Sequence, residues 1–81
     1  MLSDKVYKVQ ARWDEDGQVW WAESDDIPGL VAEADTFEAL VGVVHGLAPD
    51  LLELNGSKLK KGVELPIQVF AERMTRVRIA S

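Results

Sequence analysis

Five carboxylates in the first third of the chain have the types and spacing to do chemistry: Asp14, Asp16, Glu23, Asp25 and Asp26. Clustered carboxylates hold Mg²⁺ in enzymes that cut nucleic acid with metal-activated water. Asp14-x-Asp16 also has the spacing that opens a calcium loop. Val19 stands where that loop needs glycine, however, and the later ligands fall out of step. The simpler reading is preferred: these are turn carboxylates that interrupt strands and stay hydrated. His45 is the single histidine. Its neighbours Val44 and Gly46 supply no partner for an acid–base pair, so it reads as a helix residue at a helix–sheet boundary or on the outer side. The chain has no cysteine, which removes disulfides and thiolate ligands. No serine sits in a nucleophile-elbow context, and the six glycines form no phosphate-cradling run. The expectation is a chain with no catalytic residues, no metal ligands and no cofactor.

The chemistry that remains is recognition. Trp20 and Trp21 are adjacent on a stretch that reads as a strand, so their side chains point to opposite faces. A single helix covers one face of a small sheet, which leaves one of the two on the uncovered face. Exposed aromatics are enriched where binding energy concentrates; the competing reading is a surface ring shielded by Lys or Arg stems. The charge is also divided. Between Trp13 and Ser57 there are eleven Asp or Glu and no Lys or Arg, whereas the rest of the chain holds nine Lys or Arg and three Asp or Glu. The two parts carry −11 and +6, together the net −5. An acidic surface repels nucleic-acid backbone and attracts basic partners. Lys58, Lys60 and Lys61 form a basic loop without interleaved aromatics, which reads as solvated charge rather than a nucleic-acid site.

These residues need elements to position them. Tyr7, Val9, Ala11 and Trp13 alternate with Lys8, Gln10 and Arg12, the period of a half-buried strand. Asp14-Glu15-Asp16-Gly17 supplies a hairpin turn, with Gly17 expected to take the positive φ. Val19 to Glu23 is expected to pair back antiparallel. Pro28-Gly29 suits the central positions of a type II turn, and Leu30 to Ala34 makes a short third strand. A helix then runs from Thr36 to Asn55. Asp35 with Glu38 has capping-box spacing, and Thr36 is the alternative cap. Phe37, Leu40, Val41, Val44, Leu47 and Leu51 are expected to be buried on one face. The apolar stripe stays in phase through Pro49, predicting one helix kinked there rather than two. Asn55-Gly56 stops it. Leu65 to Ala80 alternates once more but is long for a strand. Either it bulges near Met74-Thr75, or its end projects and pairs with another chain.

The 81 residues make one domain, 1–81, with an ordinary apolar content of 47%. The start has no signal-peptide run, and no stretch approaches the roughly 18 apolar residues of a membrane span. A soluble, cytoplasmic protein without membrane contact is expected.

The run from Gly17 through Asp25-Asp26-Ile27-Pro28-Gly29-Leu30, then Glu33-Ala34-Asp35-Thr36 and the helix behind it, resembles HicB-type antitoxins, a resemblance that covers the chain from about Tyr7 to Val69. The closer resemblance is to a small bacterial family allied to them, domain of unknown function nineteen-zero-two, which shares the pattern of Trp20 to Leu30 and that of Pro49 to Asn55. The resemblance implies an α+β fold of order β-β-β-α-β: a small, mainly antiparallel sheet with one long helix on one face, a partly degraded RNase H-like arrangement. It also implies binding and silencing of a HicA-type toxin, a small basic ribonuclease. Many HicB proteins carry a further C-terminal DNA-binding segment; the resemblance here covers the partner-binding module alone. Trp20 or Trp21, Asp25, Asp26, Phe70, Arg76 and Arg78 are the expected partner contacts. A two-fold homodimer is expected as well. The alternative function is a self-associating structural or ligand-binding domain with no toxin.

Overall fold

The computed structural model describes residues 5–80. The elements are β1 (Tyr7–Asp14), β2 (Val19–Glu23), β3 (Val31–Ala34), α1 (Phe37–Leu54) and β4 (Ile67–Glu72). They form one four-stranded sheet in the order β3-β2-β1-β4, with β4 parallel to β1 and the other pairings antiparallel. The fold is α+β with the expected element order and a mainly antiparallel sheet.

Alternation decides the two faces. Tyr7, Val9 and Ala11 of β1, Trp20 and Ala22 of β2, and Ala32 of β3 are buried with Leu40, Val44, Ala48 and Leu52 of α1. Ile27 and Leu30 close that core from the loop before β3. The deepest helix positions are thus Leu40, Val44, Ala48 and Leu52, one stripe at i, i+4 spacing. Phe37, Val41, Leu47 and Leu51, expected to be buried, are half-buried on its flanks.

The ends of α1 are set by side chains. Thr36 is the N-cap, and its hydroxyl accepts from the Ala39 backbone N–H at 3.1 Å. The Thr36 alternative is the one the chain adopts, ahead of the Asp35–Glu38 box. Pro49 lies inside the helix, which runs unbroken to Leu54. At the far end the Gly56 N–H bonds to Glu53 O and the Ser57 N–H to Leu52 O, with Gly56 at φ 95°. That is a Schellman cap, in which glycine takes the left-handed position without a Cβ clash. The Asn55 side chain donates to Leu51 O (2.7 Å) and to Pro28 O (3.1 Å), tying the helix end to the loop before β3.

Two turns differ in how well they follow expectation. Leu30 N–H donates to Ile27 O at 3.1 Å and Gly29 sits at φ 87°, the type II turn expected at Pro28-Gly29. In the β1–β2 hairpin the positive φ falls on Gln18 (54°), not on Gly17. A Cβ at 17 would meet Asp14 Oδ2 at 2.8 Å, so a larger residue there would make the exposed Asp14 carboxylate swing aside.

The last strand is much shorter than the alternation in sequence. It stops at Glu72, and residues 73–80 have no strand partner and are exposed. Of the two expectations for this stretch, the projecting end is the one adopted. The molecule measures 59 × 21 × 19 Å with a radius of gyration of 15.3 Å, where a compact chain of this length has about 12 Å.

Candidate functional site

The helix packs on one side of the sheet, so the other side is open. Register places its residues in rows. One row runs Glu72–Arg12–Trp21–Glu33 from β4 to β3, and the next runs Phe70–Gln10–Glu23–Val31. Trp21 is half-buried, with the Arg12 guanidinium 5.5 Å from its ring centroid. Phe70 is 46% exposed and Val31 70%. The face therefore carries three apolar groups set among carboxylates and one arginine. Trp21 and Phe70 are the two aromatic rings among these rows.

Trp20 lies on the opposite side. It is buried edge-on between Trp13 (5.7 Å) and Phe37 (5.4 Å), so of the two adjacent tryptophans only Trp21 is available to a partner. The shielding read as the alternative is present too, because Arg12 lies over the Trp21 ring. A cation over an indole at a partly exposed site is held by about 0.5–1 kcal/mol, weak enough for a partner to displace it. Arg12 was not among the expected contacts, although its alternation with Ala11 and Trp13 in β1 already put it on the solvent side.

The acidic residues do not converge. Asp14 and Asp16 sit at the hairpin tip, where the Asp14 carboxylate accepts from the Asp16 backbone N–H at 3.2 Å. Asp25 and Asp26 sit near the other end of β1, where the Asp26 carboxylate accepts from the Lys8 backbone N–H at 2.8 Å. Lys8 and Asp14 are six strand positions apart, about 20 Å. Among the described residues no group of three or more His, Cys, Asp or Glu is placed to hold a metal ion. Asp26 is thus partly committed to the fold, while Asp25 is exposed beside it.

Ser24 organises that loop and was missed by sequence reasoning. Its hydroxyl donates to Lys8 O and accepts from the backbone N–H groups of Asp26 (3.1 Å) and Ile27 (3.2 Å). A serine just before two aspartates in a turn is the available signal, since its hydroxyl can bond the N–H two or three residues on.

His45 is exposed, on the flank of α1 that borders a shallow depression with Pro49, Val63, Leu65 and Ile67. Lys58, Lys60 and Lys61 are exposed on the loop after α1. Arg76 and Arg78 are exposed on the segment after β4, where Arg76 borders a depression with Trp13, Glu15 and Asp16 of the hairpin. The root of that segment is pinned by Arg73, whose guanidinium is 4.3 Å from the Trp13 ring centroid. Among the described residues no helix is long and apolar enough to cross a membrane.

The fold and this face define a small α+β domain that presents one uncovered sheet surface. The chain belongs to the family described as Domain of unknown function (DUF1902), whose model matches residues 6–81. It is similar to a hypothetical protein of known crystal structure from the extremely thermophilic bacterium Thermus thermophilus, with 43% identity and a TM-score of 0.67 over 93% of this chain and all of that one. No curated protein matches the chain.

Proposed function

We infer that this domain is a non-catalytic protein-binding module that docks and silences a small basic ribonuclease of the HicA type. The observation that carries the reading is Trp21. It is a large aromatic ring on the uncovered sheet face, flanked in register by Glu33 on one side and Arg12 on the other, with Glu23 and Glu72 nearby. A basic partner gains from this arrangement in two ways. The carboxylates stand in for RNA phosphates and steer it on, and the indole supplies a central apolar anchor. The resemblance to HicB-type antitoxins in the segment from Trp20 to Thr36 names the partner class.

The test is to look for a small basic open reading frame beside this gene and to titrate its product calorimetrically against the domain at several salt concentrations, together with an RNA-cleavage assay. Binding should weaken as salt rises, and the domain should stop cleavage by the basic protein while leaving RNA intact itself with Mg²⁺ or Mn²⁺. A neighbouring gene of another kind, or cleavage unaffected by excess domain, overturns the reading. The self-associating alternative has its own support in the projecting segment 73–80.

A further inference from the structure

We propose that residues 73–80 form an arm that adds as a fifth strand to the outer edge of β3 in a second copy of the chain. The arm is built like a strand without a sheet. Val77 and Ile79 alternate with Arg76 and Arg78, and both apolar residues are 82% exposed. If fully extended, the eight residues reach about 26 Å. The root is fixed by Arg73 over Trp13, and residues 73–76 border the hairpin residues Glu15 and Asp16; residues 77–80 are exposed and form no strand among the described residues.

The sheet has two free edges, β3 and β4, and charge chooses between the possible partners. The arm carries Arg73, Arg76 and Arg78 and no carboxylate. Two arms meeting each other would bring six arginines together, which like-charge pairing across strands disfavours. The β4 edge has a single charged residue, Glu72, at the end from which the arm itself leaves, and is preceded by a loop with Lys58, Lys60 and Lys61. The β3 edge instead presents Glu33, with Glu23 on the neighbouring strand and Asp35 just beyond.

Side-chain parity fits as well. On β3, Ala32 faces the helix side, while Val31 and Glu33 face the open side. Because a strand shows one set of residues to each face, only one parity buries the apolar half of the arm. Val77 and Ile79 then lie beside Ala32 and Ala34 on the helix side, and Arg76 and Arg78 line up with Glu33. At about 100° per residue, Val43 and Leu47 lie on the flank of α1 opposite His45 and Pro49. His45 and Pro49 border Ile67 of β4, so Val43 and Leu47 overhang the β3 side. Val43, 38% exposed, is there to be covered. The row Glu72–Arg12–Trp21–Glu33 gains an arginine at its outer end and becomes alternating in charge around the indole. Reciprocal exchange closes a two-fold dimer, in which each copy both gives and receives an arm.

This association does not depend on the ribonuclease reading, because it is tested with the chain alone. Sedimentation across a dilution series should show dimer for the full chain and monomer for a chain cut after Arg73. Charge reversal isolates the contact: Glu33→Lys, or Arg76→Glu with Arg78→Glu, should raise the dimer dissociation constant about tenfold or more, and the combined variant should restore it to within about threefold. All three positions are exposed, so folding is checked separately by circular dichroism. A strictly monomeric full chain, a dimer that survives removal of the arm, or reversals whose effects simply add would each overturn the proposal.

Discussion

Trp20 and Trp21 are neighbours in sequence with opposite assignments, so truncating each to alanine gives a sharp comparison. Trp20 is buried and makes two edge-on ring contacts. A core tryptophan cut to alanine costs about 3–5 kcal/mol, and two aromatic pairs place Trp20→Ala in the upper part of that range. Trp21 loses less. Its contact with Arg12 is worth about 0.5–1 kcal/mol, and its cross-strand pairing with Glu33 adds roughly 0.2–1 kcal/mol. Trp21→Ala should therefore cost about 1–2 kcal/mol, within the ordinary range for a half-exposed site. The gap of about 2–3 kcal/mol corresponds to about 2–3 M in urea midpoint, at a slope near 1 kcal/mol per molar for a chain this small. Total stability for 81 residues is about 4–12 kcal/mol, so Trp20→Ala can come close to unfolding. Trp20→Phe keeps the ring pairs and serves as the second variant, to be compared with Trp21→Phe. The assay is urea denaturation followed by far-ultraviolet circular dichroism, which does not depend on the tryptophan removed. An equal or larger loss for the Trp21 variants would mean the sheet faces are inverted and the argument for the open face is wrong.

Leu40→Ala should cost about 2–5 kcal/mol by leaving a cavity in a fully buried site, whereas Leu54→Ala, 82% exposed, should move the denaturation midpoint little. Thr36→Ala should lower stability by about 1 kcal/mol through loss of the helix cap, with Asp35→Ala near neutral in the same thermal melt. Ser24→Ala should cost about 1–3 kcal/mol, because two backbone N–H groups in a part-buried loop lose their acceptor; hydrogen exchange at Asp26 and Ile27 should rise in parallel. Gly29→Ala should lose about 1–2 kcal/mol to left-handed strain at φ 87°, measured by chemical denaturation.

Local pattern carried most of the fold. The period of β1, the Pro28-Gly29 turn and the helix stripe are written in neighbouring residues, and each appears where its chemistry places it. What failed depended on distant partners. The early end of β4 is one such case: its pairing with β1 ends at Arg12–Glu72 although β1 itself runs on to Asp14. Alternation continues in sequence past that point, into residues 73–80, which form no strand. Gly17 was assigned the positive φ that Gln18 takes, which only the closed hairpin reveals. The choice between Trp20 and Trp21 was legible in part. Trp20 shares parity with Ala22 and Trp21 with Glu23, and a charged residue marks the solvent side. Arg12 and Ser24 went unread because their importance lies in cross-strand and loop contacts rather than in residue type.

The central claim is that the open sheet face, through Trp21, is the surface that engages a basic protein partner. The most direct measurement is a nitrogen–proton correlation spectrum of the labelled domain, titrated with a small basic ribonuclease of the HicA type. The chain has three tryptophans, whose indole N–H signals report separately on the hairpin, the core and the open face. The Trp21 indole should shift or broaden first, together with the backbone amides of Arg12 and Glu33, while the Trp20 indole stays in place. A saturating partner that leaves the Trp21 indole unmoved, or that shifts only the outer residues of α1, would contradict the claim.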